Sequence, residues 1–166
     1  MYSEFSKLNE NPPQLEVDDR SFGFYRQALS YGLLGGSLLA MFLLIVNISQ
    51  EGLHTGLHFA KYIVLIIPIY WAIRTYHEYL PSGKTFIDGF KLGASVAAIA
   101  AISVAVINLI IASLAPDFAF QQFYNANADA ISTFANSVFL AFEIFVFGMI
   151  ITFASLQLLK NGGAPE

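Results

Sequence analysis

A chain of 166 residues that is 56% hydrophobic and 12% charged is far more apolar than a soluble domain, where charged residues make up about 25%. Its net charge of -4 gathers near the start, where Glu4, Glu10, Glu16, Asp18 and Asp19 outnumber Lys7 and Arg20, so no basic patch is offered to nucleic acid. Cysteine is absent, which removes disulfides, thiolate chemistry and sulfur-held metals.

Residues 1–25 carry Asn11-Pro12-Pro13 and scattered acids without periodicity, which predicts an irregular tail. The first apolar run follows this long polar start, so it reads as a retained membrane anchor rather than a cleaved signal peptide. A hydrocarbon core roughly 30 Å thick needs about 20 apolar residues per crossing. The expectation is an all-α membrane protein with four transmembrane helices at about 26–47, 56–73, 89–115 and 136–160. These form one domain over 26–160, closed by a short tail at 161–166. Pro68 falls inside the second span as a kink. Tyr79 to Gly83 reads as a turn, and Thr85 followed by Asp88 resembles a capping box that starts the third helix near Phe86. That helix stops before Pro116, and Gly162-Gly163 end the fourth.

Before the fourth span, Phe120, Phe123, Tyr124, Ala128, Ile131 and Phe134 recur at helical spacing, with Gln121, Gln122, Asn125 and Asp129 off that face. This pattern suits an amphipathic helix in the outer interface, or else a long loop packed on the bundle. Lys7, Arg20, Arg26, Arg74, Lys84, Lys91 and Lys160 flank the termini and the middle loop, whereas both other loops lack Lys and Arg. Short cytoplasmic loops hold the excess of these residues, so both termini are expected inside.

Helices in lipid meet where small residues let backbones approach. Gly32, Gly36 and Ala40 mark such a seam on the first span; Gly89, Gly93, Ala97, Ala101 and Ala105 on the third; Ala141, Gly148 and Ser155 on the fourth. Whether these seams meet inside one chain or between chains is open at this stage.

Two ionisable residues, Lys61 and Glu143, lie within spans, where a charge costs about 2.5 to 3.5 kcal/mol. With alternating helices their depths nearly match, and Asn108 falls near the same level. A buried polar cluster of Lys61, Asn108 and Glu143 is therefore expected, serving either as a register-fixing ion pair or as a proton or ion site; snorkelling of Lys61 is the plain alternative. Asn136, Glu143, Ile150 and Gln157 recur at sevens, a stripe expected to face protein. Glu51, His54 and His58 are spaced to share one helix face and are weak metal-ligand candidates, although histidines and acids are ordinary at a membrane boundary. No cofactor is expected. No phosphate loop, nucleophile elbow or zinc-protease signature is present, so an enzyme is not expected.

The stretch Ala72-Ile73-Arg74 through Thr85-Phe86-Ile87-Asp88-Gly89-Phe90-Lys91-Leu92-Gly93, with Pro116-Asp117-Phe118 after the third span, resembles an uncharacterised four-helix membrane protein family of Bacteroidota, domain of unknown function 4199. The likeness covers roughly Ala28 to Lys160. In that family the loop after the Pro-Asp-Phe motif is rich in charge, whereas here it is aromatic and amide-rich. The resemblance implies a multi-pass bacterial inner-membrane protein and supplies no activity. The leading expectation is a non-catalytic accessory or scaffold subunit whose partners are lipids and other membrane subunits or copies of itself. The alternatives are a small ion- or proton-coupled transporter or channel element, and a protein that binds a lipid or other hydrophobic ligand.

Overall fold

The computed structural model describes residues 19–48, 55–77, 85–115, 119–120 and 130–161, with the side chains of a few residues at the helix ends left out. These residues form four helices: α1 (Asp19–Ile48), α2 (Thr55–His77), α3 (Thr85–Leu114) and α4 (Ala130–Asn161). α3 carries Asp88 in its first turn, where a carboxylate suits the exposed N–H groups and the positive end of the helix dipole. At its far end the Ala115 N–H still reaches the Ile111 carbonyl at 2.7 Å, and Pro116 follows.

Two helices start earlier than the apolar spans suggest. α1 begins at Asp19 rather than near Arg26, and α4 at Ala130 rather than Asn136. Hydropathy marks where lipid begins, whereas a helix continues until its backbone bonds are interrupted, and no proline lies between Asp19 and Arg26 or between Ala130 and Asn136.

The helices alternate in direction. Gly89, Gly93 and Ala97 of α3 lie against Leu156, Thr152 and Gly148 of α4, so a step forward on one is a step back on the other. Gly32 and Gly36 of α1 instead advance in parallel with Ile99 and Ser103 of α3. α2 runs opposite to α1, because Tyr31 pairs with Thr75 while the later Gly35 meets the earlier Pro68. The bundle is a rhombus rather than a square: α2 and α3 each touch all the other helices, and α1 and α4 do not meet among the described residues.

Small residues on α3 explain its central place. Gly32 sits over Ile99 and the Val96 carbonyl, and Gly36 over Ser103 and the Ala100 backbone. One face of α3 thus takes α1, while the neighbouring face takes α4. These packing seams lie inside the chain.

The exterior is the apolar side of the molecule. Leu33, Leu34, Met41 and Ile45 of α1, Ile63, Ile67 and Trp71 of α2, Ile102 and Ile110 of α3, and Phe139, Phe142 and Phe153 of α4 all point outward, while Lys61, Asn108, Ser137 and Thr152 are buried. Soluble proteins rarely expose contiguous apolar patches beyond a few hundred Å². Three helices, over Gly23–Asn47, Phe86–Leu114 and Ile131–Leu159, are long and apolar enough to cross a membrane. The chain is a membrane-embedded helical bundle.

Candidate functional site

Lys61 enters the bundle six residues into α2, and Glu143 lies near the middle of α4. Because these helices run in the same direction, the two residues meet at one level: Lys61 Nζ stands 2.7 Å from Glu143 Oε1. Lys61 is not snorkelling. Its side chain is 5% exposed against 25% for Glu143, so the cation lies inside the α2–α4 seam and the carboxylate at its edge. Such a pair is tolerated in a low dielectric because each charge is the other's solvation, and either one alone would be costly.

Aromatic residues complete the cation's surroundings. Lys61 Nζ lies 5.2 Å from the centroid of the Tyr62 ring, within the range at which a ring face attracts a cation. One turn further along α4, Phe147 stacks on Tyr62 with centroids 3.8 Å apart and planes 18° from parallel. Leu65 of α2 then approaches Gly148, closing the seam below the pair. The Tyr62 ring is therefore fixed on one face by Phe147.

Asn108 does not join this pair. Its Nδ2 donates to Ser137 Oγ at 3.0 Å, and its Oδ1 accepts the Phe120 N–H at 2.7 Å. Ser137 lies six residues before Glu143 on α4, roughly 9 Å away along the axis at ~1.5 Å per residue. The expected trio is thus a pair plus a separate anchor. Matching depth was too coarse a criterion, because about a fifth of the length of α4 still counts as the same half of the bundle.

What Asn108 holds is backbone. The chain returning from α3 places Phe120 in the core at 7% exposure, and its N–H would be an unsatisfied donor without the amide oxygen of Asn108. Asn47 at the end of α1 donates to the neighbouring Ala119 carbonyl at 3.5 Å. Ser137 hands its own hydroxyl proton to the Thr133 carbonyl at 2.9 Å, which leaves its oxygen free to accept from Asn108. Asn47 of α1 and Asn108 of α3 thus hold residues 119–120 directly, and Ser137 of α4 supports Asn108.

The packing residues are placed within the chain: Gly32 and Gly36 against α3, Gly89 against Leu156, Gly93 against Thr152, and Gly148 against Ala97; Ala101 is buried in the core. Gly35 was not singled out by its spacing, yet a Cβ there would come within 3.0 Å of Pro68 Cγ. The signal available in the sequence was the proline itself, since its ring needs a small neighbour wherever another helix crosses it. In the stripe of sevens on α4, Asn136 is buried but Ile150 is 57% exposed, so the stripe leaves the protein interior at that point.

Glu51 and His54 lie outside the described residues, as does the side chain of His58. No group of His, Cys, Asp and Glu suited to a metal occurs among the described residues. Most of the expected amphipathic segment, 121–129, also lies outside them, while Ile131 and Phe134 belong to α4. No family model, curated protein or solved structure matches the chain.

Proposed function

We propose that this chain is a four-span protein of a bacterial inner membrane, with both termini on the cytoplasmic side, acting without catalysis as an accessory or scaffold subunit of a larger membrane complex. Support for a fourth crossing comes from α2. Its 23 residues extend roughly 34 Å at ~1.5 Å per residue, more than the ~30 Å hydrocarbon core, and it packs on every other helix. Support for the orientation comes from Arg26, Arg74 and Lys91, which the alternating helices bring to one end of the bundle, as the positive-inside rule requires of a cytoplasmic face. The likeness to the Bacteroidota family agrees with that location.

The observation that carries the scaffold reading is the direction in which the side chains point. Lys61, Asn108, Ser137 and Thr152 turn into the bundle, where Lys61 pairs with Glu143 and Asn108 with Ser137 and Phe120. What faces outward is an apolar belt on all four helices, and no described cleft groups catalytic side chains. A closed body of this kind contributes shape and surface rather than chemistry. Purification in a mild detergent is expected to bring down further membrane subunits in fixed ratio. A monodisperse single chain in particles cut directly from native membrane would remove the reading.

The ion pair itself favours a second reading, a small ion- or proton-coupled element, because ionisable residues inside spans mark ion paths more often than ordinary packing does. Glu143→Gln in proteoliposomes separates the two: intact assembly with lost flux supports coupling, and unchanged flux supports the scaffold.

A further inference from the structure

The asymmetry of the ion pair has a chemical meaning. α4 spans Ala130–Asn161, which places Glu143 roughly 20 Å from its start and 27 Å from its end at ~1.5 Å per residue. Even with about 9 Å of overhang at each end of a ~48 Å helix, the carboxyl group is ~10 Å inside the hydrocarbon. Its inner side is occupied by the buried Lys61, while its own side chain is 25% exposed on a helix whose neighbouring Phe142, Val146 and Ile150 are exposed as well. The approach to this acid is therefore sideways through the bilayer.

We infer that Glu143 is a proton-exchange site opened laterally to the membrane, with Lys61 as its positioning residue. This inference rests on the ion-coupled reading above. Among the described side chains, Tyr62 of α2 lies against the cation and α1 does not touch α4; the other charged residue of α4, Lys160, stands near the far end of the helix, and the side chain of His58, which precedes Lys61 on α2, lies outside the described residues. A proton taken up on the carboxylate cancels the charge that holds Lys61. The ammonium then keeps only the Tyr62 ring face, and its flexible stem can carry it toward the start of α2. Loss of the proton draws it back. Proton occupancy at the lipid-facing edge is thus coupled to the position of a cation inside the seam.

Dicyclohexylcarbodiimide, which dissolves in bilayers, tests the site in full-length protein in liposomes. The acid's proton passes to a carbodiimide nitrogen as its oxygen bonds to the central carbon. The acyl group then either migrates to nitrogen as a stable acylurea or is captured by Lys61, whose ammonium first gives up a proton; the resulting amine bonds to the acyl carbon, its second proton leaves with the departing dicyclohexylurea, and an amide crosslink remains. Peptide mass spectrometry is expected to find one or both products at Glu143. Lys61→Met should retain the acylurea and lose the crosslink, and Glu143→Gln should lose both. A water-soluble carbodiimide should reach Asp88, whose side chain is 31% exposed, and leave Glu143 intact. Glu143 unmodified by the bilayer-soluble reagent, or modified equally by the water-soluble one, would overturn the inference. Labelling with normal flux in Glu143→Gln liposomes upholds the lateral site and removes the transport reading; lost flux without labelling does the reverse.

Discussion

α4 is held against two neighbours by different means. Toward α3 it approaches through Gly93, Ala97 and Gly148, with Thr152 filling the gap and donating its hydroxyl proton to the Gly148 carbonyl at 2.7 Å. Toward α2 it is held by Lys61 with Glu143 and by the Tyr62–Phe147 stack. The first seam works by leaving no room, so its strength lies in dispersion summed over many atoms and it is sensitive to volume. The second works by mutual neutralisation, so it is sensitive to which partner is removed. A membrane bundle can use both because lipid supplies no hydrophobic drive between helices, yet severely penalises an unmatched charge.

The sharpest break in this comparison is Glu143→Leu, which strands Lys61. A cost of about 3–5 kcal/mol is expected for one partner removed from a buried pair, read as a lower midpoint in a denaturing SDS titration. Replacing both, Lys61→Met with Glu143→Leu, should return the midpoint to within about 1 kcal/mol of the original, since paired apolar replacements of a buried ion pair are often neutral. A double variant as unstable as the single one would mean that the seam depends on the charges themselves.

Next in size is Gly148→Ala. Its added Cβ would collide with the Cβ of Ala97, with the Ala97 Cα only 3.4 Å away, so the helices must separate, at about 2–3 kcal/mol. Gly89→Ala on the same seam meets the Cδ2 end of Leu156, which can turn aside, and should cost under about 1 kcal/mol beyond that saving in helix propensity. Equal costs at the two glycines would contradict the picture of a rigid contact at Gly148. Asn108→Ala is expected to lose about 1–2 kcal/mol, because the buried Phe120 N–H is left without an acceptor. Faster hydrogen exchange at Phe120, with little change at Gly148, would locate that loss in the returning turn.

The helices were legible because the apolar runs are long and the Pro116, Pro81 and glycine breaks are strong. The meeting of Lys61 and Glu143 was legible for a reason special to membranes: charges in lipid must find each other, and alternating helices fix the depth of each. Asn108 was not, since an amide has as many ways to be satisfied by backbone as by side chains, and a sequence does not show where a turn folds back. Gly35 was missed because four-residue spacing picks out Gly32 and Gly36 on the face that meets α3, while Gly35 belongs to the adjacent face that meets Pro68. Helix starts were misplaced for the reason that hydropathy and backbone hydrogen bonding end at different residues.

The smallest expected effect probes how the two devices share Lys61. Tyr62→Leu removes the stack on Phe147 and the ring face 5.2 Å from the ammonium, for a loss of about 1 kcal/mol, the range measured for aromatic pairs. With Glu143 present, the carboxylate still neutralises Lys61, and the ring is a minor partner. In a Glu143→Leu background the ring is the cation's remaining described partner, so Tyr62→Leu should cost more there than in the parent chain, by about 0.5–1 kcal/mol of coupling. Additive losses in this double-mutant cycle would mean that Tyr62 serves only to pack against Phe147 and does not hold the cation.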